Sequence, residues 1–409
     1  MSEHVLLFGS GPKIDYGSLL RAHPGVRTSM MCRIEYLTKV MAPEGHQRVL
    51  TVRKDAPISE VVALARAIHA EDPITRVAAF WELDQDRAAA VGEALGLPTH
   101  SPDTVRVVND KDAMRERLQT SGVDETAAAL VRSAADITAF GAAHGYPIVV
   151  KPVAAAGSCG VGVVRSAEEA EAAYVAATGD FLGVTRAEVM VEQFHTGPQY
   201  SVEAFSADGG HIVVAVTRKY SDPHTLVELG HVCPAELDPA DRAAIDGYIG
   251  DVLKVLGVDF GATHNEIVLT ATGPRLIETH LRIGGDFIFE LVREATGVDF
   301  IDLQVRQTLG EPVLEGVRST LAAQRAPRHE AIWYAPPATG TLLGMTAPES
   351  VTMLHEPGTD LADLAGSWSR LAKARAHGAT AEEAVAAAQD AIRSATFDIR
   401  VTPGVPPTV

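Results

Sequence analysis

Hydrophobic runs of strand length alternate with amphipathic helical stretches along most of the chain. In the N-terminal quarter, HVLLFGS, QRVLTVRK and ITRVAAFWEL have the length and composition of strands, whereas SEVVALARAIHAED and DQDRAAAVGEALGL repeat their apolar positions with helical spacing. Alternation of this kind is typical of α/β layers. It predicts a compact α/β domain that ends near His100.

The second part of the chain begins with a helix and a small mixed unit. Asn109 and Asp110 are positioned to cap the helix DKDAMRERLQTSG, and Gly122 is positioned to end it. The segments AALVRS, ADITAFGAAHG, PIVVKPV, VGVVRS, SAEEAEAAYVAAT and EVMVEQF then have the patterns of strand, helix, strand, strand, helix and strand. This order predicts a small, separate lid.

Two hairpins and a further stretch of strands and helices complete the pattern. YSVEAFSADGGHIVVAVTRKY turns at Asp208-Gly209-Gly210, and THNEIVLTATGPRLIETHLR turns near Gly273, with the helix DRAAIDGYIGDVLKVLG between them. After Gly310, strands are predicted in HEAIWYAPPATGTLLGM and a helix in AEEAVAAAQDAIRSA. The Pro-rich end, TPGVPPTV, is predicted to be a loose tail.

Composition and charge narrow the choice of partners. The 409 residues suggest several domains, and 46% hydrophobic with 22% charged residues is ordinary for a globular protein. A net charge of -18 argues against nucleic acid or an anionic membrane as the partner, so an anionic ligand requires a local cationic pocket. The start, MSEHVLLFGSG, has no basic leader or cleavage site, and no apolar run reaches the roughly 18 residues of a membrane span. We therefore expect a cytoplasmic protein.

The stretch LIETHLRIGGD places three polar side chains on one face. If it is a strand, Glu278, His280 and Arg282 occupy alternate positions, and alternate side chains of a strand point to the same side. A three-residue loop ending at a left-handed glycine would pair Glu266 with Glu278, and His264 with His280.

Facing carboxylates require a neutralising partner. Like charges at roughly 5 Å across a strand pair are destabilising, so removing one charge would relieve the pair of Glu266 and Glu278. Mg²⁺ is commonly held by one or two carboxylates together with phosphate oxygens and water. The hairpin therefore suggests a metal site. A register one residue off, or two exposed glutamates paired with lysine or arginine, would explain the same pattern without a metal.

Candidates for phosphate binding lie upstream. In PIVVKPVAAAGSCGVGVV, Lys151 ends an apolar strand and precedes a loop with Gly157, Gly160 and Gly162, whose backbone N–H groups could approach phosphate closely. The loop lacks the GxxxxGK[ST] pattern of a P-loop, and by itself a glycine-rich hairpin is equally a tight turn. Lys111 is a weaker candidate, because a lysine in the first turn of a helix is most often solvated.

Four segments together resemble the ATP-grasp superfamily: VVNDKDAMRERLQTSGV, YPIVVKPVAAAGSCGVGVV, VMVEQFHTGPQYSVEAF and HNEIVLTATGPRLIETHLRIGGD. Within it, the chain is most similar to carboxylate–amine ligases of the L-amino-acid ligase, or dipeptide synthetase, type. The resemblance implies an α/β protein with the ATP-grasp fold in four parts. These are a biotin carboxylase-like N-terminal domain (1–105), a small lid subdomain (106–195), a large subdomain with the metal and substrate site (196–315) and a C-terminal α+β subdomain (316–409).

The resemblance also implies roles for individual positions. Arg282 and Lys151 would steady the transferred phosphoryl group, and Gln199 stands where many relatives have a ribose-binding glutamate. Positions that would bind ATP are Lys111, Lys151, Gly157, Ser158, Gly160, Gly162, Glu192, Gln193, Phe194, His195 and Gln199. Glu266 and Glu278 would hold the metal.

His280 departs from the asparagine that is common at its place in the superfamily. As a metal ligand it would favour Mn²⁺ over Mg²⁺, and as a hydrogen-bond donor it would contact phosphate; we favour the second role. Asp286 could cap the following helix or hold a substrate amine, and capping is favoured. The candidate residues for the substrate side are Glu228, His231, His264, Gly284, Gly285 and Asp286.

The implied reaction forms an amide through an acyl phosphate. ATP and Mg²⁺ would be required, with Mn²⁺ as an alternative ion, and the partners would be a small carboxylate and an amine, with homodimer formation left open. Two other functions remain open at this stage. One is a carboxylase that activates bicarbonate, although the chain has no AMKM-like biotin attachment site. The other is a nucleotide-binding module without catalysis, which has no need of a phosphoryl-binding arginine.

Overall fold

Four β-sheets and twelve α-helices organise the part of the chain that the computed structural model describes, which is residues 2–9, 14–153, 157, 159–179, 188–223, 225–323, 328–361, 364 and 366–400. Ser158 and the Pro-rich end lie outside these residues. Within them, no helix is both long and apolar enough to cross a membrane.

The N-terminal part contains a parallel four-stranded sheet in the order β3-β2-β1-β4. Its elements are β1 (Glu3–Phe8), α1 (Tyr16–Arg21), β2 (Val26–Arg33), β3 (Val49–Val52), α2 (Ile58–Glu71), β4 (Arg76–Ala78), α3 (Gln85–Leu95) and α4 (Pro102–Asn109). The sequence pattern missed α1, α4 and β2. Strand β2 carries Thr28 and Ser29 in its buried centre, where histidines hydrogen-bond both hydroxyls, so it has no continuous apolar run.

The lid is an antiparallel four-stranded sheet in the order β5-β8-β6-β7. It comprises β5 (Ala128–Val131), α6 (Ala134–His144), β6 (Ile148–Pro152), β7 (Gly162–Val164), α7 (Ala170–Ala177) and β8 (Val189–Gln193), and α5 (Lys111–Ser121) precedes it. The Asp110 carboxylate accepts hydrogen bonds from the first-turn N–H groups of α5, and Gly122 ends the helix with φ +72°. Asn109, by contrast, is the last residue of α4 and does not cap α5.

An eight-stranded antiparallel sheet forms the largest layer, in the order β13-β12-β9-β10-β11-β14-β17-β16. Its strands are β9 (Gln199–Ala207), β10 (Gly210–Ser221), β11 (Glu228–Cys233), β12 (Gly261–Thr270), β13 (Gly273–His280), β14 (His329–Tyr334), β16 (Val351–Met353) and β17 (Ala372–Gly378). The remaining elements are α8 (Pro239–Val255), α9 (Ile288–Thr296), α10 (Phe300–Thr308), α11 (Leu314–Ala323), β15 (Thr341–Thr346), α12 (Ala381–Arg393) and β18 (Thr396–Arg400).

Helices cover both faces of this sheet. Ile249 of α8 belongs to the same core as Val202 of β9, whereas Leu291 of α9 belongs to the core that contains Phe205 of β9. The period-two alternation of β9 therefore supplies apolar side chains to both layers. Strands β14, β16 and β17 come from the C-terminal quarter of the chain and extend the same sheet. The β12–β13 hairpin lies at one end of the sheet, and its Glu266 and Glu278 line a cavity together with residues of the lid.

The β12–β13 hairpin contains a bulge that the sequence did not reveal. The loop has two residues, so Thr270 pairs with Gly273, and the predicted three-residue loop is wrong. Ile277 is an extra residue between the pairs Ile267–Leu276 and Glu266–Glu278, and it shifts the register by one. The predicted pairing of Glu266 with Glu278 is thus confirmed.

The Asp110 cap can be tested by substitution. Asp110→Ala removes the acceptor for two N–H groups at the start of α5, so we expect a loss of about 1 kcal/mol in the free energy of unfolding. Asp110→Ser, which restores a capping oxygen, should recover most of it. Chemical denaturation of both variants measures the effect. Equal stability of the alanine and serine variants would contradict the capping role.

Candidate active site

Two facing carboxylates lie at the centre of the candidate site, and each contacts a lysine from another part of the chain. Lys219 of β10 places its Nζ 2.6 Å from Glu266 Oε2, and Lys111 at the start of α5 places its Nζ 3.1 Å from Glu278 Oε2. The lysines keep both carboxylates ionised. Burial opposes ionisation, but the attraction of Lys219 and Lys111 outweighs it, so the pKa of Glu266 and that of Glu278 lie well below the usual range.

His264 extends this charge network into the sheet. Its Nδ1 lies 2.7 Å from Glu203 Oε1 and its Nε2 lies 3.2 Å from Glu266 Oε1. Burial disfavours the imidazolium, but Glu203 and Glu266 together raise the pKa of His264 to about 9. A protonated His264 between Glu203 and Glu266 therefore helps to hold the Glu266 carboxylate in place. The sequence analysis did not identify Glu203.

His280 and Arg282 meet a carboxylate from the N-terminal part of the chain. Glu82 Oε1 lies 3.4 Å from His280 Nδ1, and Glu82 Oε2 accepts a hydrogen bond from Arg282 Nε at 2.9 Å. His280 Nε2 lies 3.1 Å from Glu278 Oε1. Burial and Arg282 oppose the imidazolium, but Glu278 and Glu82 outweigh them, so the pKa of His280 is raised. The predicted face of the strand therefore exists, and Glu82 holds two of its three members.

Lys151, on lid strand β6, belongs to a buried ion-pair network. Its Nζ is 2.5 Å from Glu192 Oε1, and Glu192 Oε2 accepts a hydrogen bond from Arg115 Nε at 3.1 Å. Burial lowers the pKa of Lys151, and the nearby Arg115 and Lys111 lower it further, although Glu192 counteracts this. Lys111, Lys151 and Arg115 thus bring three cations together within an acidic chain. The carboxylates of Glu192, Glu278 and Asp124 lie within 4 Å of them and balance their charge.

These cations line a cavity of about 150 Å³ between the lid and the large sheet. The segment that follows β8 forms one wall, and His195 Nε2 lies 2.8 Å from Thr126 Oγ1, which fixes its ring. Predicted ATP-binding residues that line this cavity are Lys111, Lys151, Gly157, Glu192, Gln193, Phe194, His195 and Gln199. The apolar lining includes Val149, Val163 and Val268, which is suited to a flat base.

The described residues of the glycine-rich loop require glycine for conformational and steric reasons. Gly157 and Gly160 have φ values of +66° and +71°, in the left-handed region, and a Cβ on Gly157 would collide with the Trp368 ring. Gly162 opens β7 and pairs with Val150 of β6. Gly157 lines this cavity and also a second one, so it lies where the two spaces adjoin.

The second cavity, of about 230 Å³, ends at an ion pair that the sequence did not predict. Arg370 donates two hydrogen bonds to the Asp286 carboxylate, at 2.6 and 2.7 Å, and its guanidinium stacks 3.7 Å from the Tyr334 ring centroid. His231 Nε2 lies 3.2 Å from Asp286 Oδ2 and 3.5 Å from Glu228 Oε2. Asp286, Glu228 and His231 are therefore brought together beside the facing carboxylates.

The favoured helix-capping role of Asp286 is wrong. Phe287 is the residue before α9, and its side chain makes no cap hydrogen bond. Asp286 and Phe287 have φ values of +51° and +63°, so two successive non-glycine residues are left-handed and the carboxylate turns away from the helix toward Arg370. Gly284 is required by protein neighbours, since a Cβ there would lie 2.9 Å from Glu203 Oε2, whereas Gly285 lines the cavity.

The donor set fits Mg²⁺. Two ionised carboxylates face each other on adjacent strands, and the cavity that they line also contains Lys111, Lys151 and Lys219, which could hold phosphate oxygens. This is the combination of few protein carboxylates with phosphate oxygens that Mg²⁺ prefers. His280 adds an imidazole nitrogen to the edge of the same set.

Several important residues escaped the sequence analysis: Glu82, Arg115, Glu203, Lys219 and Arg370. Arg115 follows Lys111 by one helical turn on α5, and that spacing is a signal that could have identified it. The others come from segments without a distinctive local pattern. Only the fold brings them to the hairpin.

Solved structures with similar folds cover nearly the whole chain. The fold matches the crystal structure of L-amino acid ligase from Bacillus licheniformis with a TM-score of 0.80 and 20% identity, over 98% of this chain and 99% of that chain. It also matches the biotin carboxylase domain of Hydrogenobacter thermophilus 2-oxoglutarate carboxylase, in complex with MgADP, ADP and bicarbonate, with a TM-score of 0.69 and 18% identity, over 98% of this chain and 91% of that chain.

Curated relatives match only part of this chain and part of their own length. An uncharacterized protein, y4rH, of Sinorhizobium fredii is 29% identical over 71% of this chain and 59% of its own length. Dapdiamide A synthase of Enterobacter agglomerans is 26% identical over 46% and 45%, and alanine–anticapsin ligase of Bacillus subtilis is 26% identical over 61% and 57%. The chain spans about half the length of these relatives.

A known domain family also matches the middle of the chain. Residues 144–290 match the ATP-grasp domain, and this range contains the lid strands β6 to β8, the glycine-rich loop and the β12–β13 hairpin. The match identifies an ATP-grasp domain in residues 144–290, and the fold similarity over the whole chain agrees with it.

Proposed function

We propose that the protein is an ATP-dependent carboxylate–amine ligase that joins an amino acid, or a related carboxylate, to an amino acid or amine. One observation carries the proposal. The cavity with Lys111 and Lys151 meets a second, polar cavity at Glu228, Glu266 and Glu278, which line both. A nucleotide phosphate in the first would therefore lie beside a small carboxylate in the second.

The named relatives support this class of reaction. The matched proteins include a dapdiamide A synthase, an alanine–anticapsin ligase and an L-amino acid ligase. We infer from these names that dipeptide formation in specialised metabolism is the best guide to the substrates. We further propose, from the sequence, that the enzyme acts in the cytoplasm.

The reaction follows from the charges. The carboxylate oxygen of the first substrate attacks the γ-phosphorus of ATP, which forms an acyl phosphate and releases ADP; the amine then attacks the carbonyl carbon, phosphate leaves, and the nitrogen loses a proton. Lys111, Lys151 and Arg282 offset the charge on the phosphoryl oxygens, and Glu228 with Asp286 orients an ammonium group. Mg²⁺ bound at Glu266 and Glu278 would neutralise phosphate charge.

A bicarbonate-activating carboxylase is the second candidate. It is favoured by the similarity of the fold to a biotin carboxylase domain. Against it stand the higher TM-score with the amino acid ligase and the polar cavity that ends at Asp286 and Arg370, which bicarbonate would leave largely unfilled.

Product analysis tests the proposal. The purified chain is incubated with ATP, Mg²⁺ and pairs of amino acids; nucleotides are separated by chromatography, phosphate is measured, and amides are identified by mass spectrometry. We expect ADP, phosphate and one amide in equal amounts. AMP and pyrophosphate would contradict an acyl phosphate, and turnover stimulated by bicarbonate alone would favour the carboxylase.

Glu278→Gln tests the metal role. Removing this charge should lower turnover by orders of magnitude and weaken Mg²⁺ binding, measured by titrating activity with Mg²⁺. If Glu266 were the only charge near Glu278, its repulsion would be removed in Glu278→Gln, and the variant would be more stable than wild type. Because Lys111 lies 3.1 Å from Glu278, we instead expect a loss of about 1–2 kcal/mol, discounted for partial exposure. Glu116→Gln, on the exposed side of α5, is the control. Unchanged turnover would refute the metal role.

His280 substitutions separate its two proposed roles. If the imidazole donates to a phosphate or carboxylate oxygen, His280→Asn retains activity with Mg²⁺ because the amide can donate there, whereas His280→Ala loses most of kcat. Rates with Mg²⁺ and with Mn²⁺ are compared for each variant. Should wild type prefer Mn²⁺ strongly and His280→Asn abolish that preference, His280 is a metal ligand instead.

A further inference from the structure

A cavity of about 510 Å³ lies between the N-terminal part and the large sheet, apart from the two cavities of the candidate active site. One wall comes from β4, α3 and α4, and the opposite wall from β12 and the end of α10. None of its lining residues lines either of the other two cavities. The proposed ligase function makes no use of it.

The walls contain polar atoms that no described residue satisfies. Gln85 is 4% exposed; its Nε2 donates to Leu281 O at 2.8 Å, but its Oε1 is buried without a hydrogen-bond partner. His100 Nδ1 is also buried without a hydrogen-bond partner, whereas Arg76 Nε has an ion pair with Glu3 Oε2 at 3.5 Å. Native interiors rarely leave such atoms unsatisfied, and two in one lining indicate that a polar molecule belongs there.

The lining combines apolar, aromatic and charged groups in one space. The His100 and Phe260 rings are stacked with centroids 4.2 Å apart, and burial lowers the pKa of His100 to about 4, so the ring is neutral. Arg76 supplies a cation, and its Nε forms an ion pair with Glu3 Oε2 at 3.5 Å. Asp208 and Asp259 line the same cavity and are exposed, so they place negative charge where the cavity opens to solvent.

The cavity shares two chain segments with the candidate active site. Phe80 and Leu281 line the cavity, whereas Glu82 and Arg282, two residues and one residue further on, form an ion pair in the site. A molecule in the cavity would therefore pack against the backbone that positions Arg282.

We propose that this cavity is a second small-molecule site, and that it takes a zwitterion with an apolar body, of the size of an amino acid or dipeptide. The carboxylate would pair with Arg76, the ammonium with Asp208 or Asp259, and the apolar body would pack on Phe260 and its apolar neighbours. Opposite charges flanking an apolar surface select this class over a nucleotide or a hydrocarbon.

Calorimetric titration of the full chain with L-leucyl-L-leucine tests the proposal, with saturating Mg–ADP present so that binding at the nucleotide cavity is constant. We expect binding that weakens at least about tenfold for L-leucyl-L-leucinamide, which lacks the carboxylate, and for Arg76→Gln. Arg48→Gln, directly before β3 and outside the cavity, is the matched control and should bind normally. Ala79→Phe, at a half-buried lining position, should also block binding.

An active-site variant distinguishes this site from the proposed substrate site. Asp286→Asn should leave binding of L-leucyl-L-leucine unchanged, because Asp286 lies outside the cavity. Loss of binding in Asp286→Asn, equal binding by Arg76→Gln and wild type, or no binding at about 10 mM would each overturn the proposal. The assay measures no turnover, so its outcome is independent of whether the chain is a ligase.

Discussion

The repulsion between two facing carboxylates is the constraint on which the candidate site depends. Glu266 and Glu278 face each other on adjacent strands, and the charges that balance them come from β10 and α5. The hairpin, the large sheet and the helix that leads into the lid are thereby held in one charge network. A chain with a net charge of -18 can bind a nucleotide only where cations are concentrated, and this network concentrates them.

The sequence predicted the layers and the centre of the site because both have local signatures. Alternating apolar runs marked most strands and helices, and alternate polar residues in LIETHLRIGGD marked one face. The facing pair was obtained from a wrong loop, and it survived because the bulge at Ile277 shifts the register back by one. Nothing in the local sequence marks Ile277 as the extra residue, so the agreement depended on a feature that sequence periodicity does not contain.

The rest of the site could not be predicted because its partners are distant in sequence. Glu82 lies 200 residues from Arg282, and Arg370 lies 84 residues from Asp286. Neither Glu82 nor Arg370 stands in a motif, so local pattern gives no reason to select it. Asp286 was expected to cap a helix because aspartate before a helix usually does; two left-handed residues in succession redirect its side chain, and backbone conformation of that kind is set by tertiary contacts.

Asp286 also shows why the C-terminal part belongs to the site. Two successive left-handed non-glycine residues cost roughly 1–2 kcal/mol each, so something must hold them. The bidentate ion pair with Arg370 and the hydrogen bond from Tyr334 Oη to the Asp286 carbonyl do so, and both partners come from the C-terminal quarter. Because that quarter also extends the large sheet through β14, β16 and β17, the part of the chain that holds Asp286 at the end of the second cavity also completes the sheet.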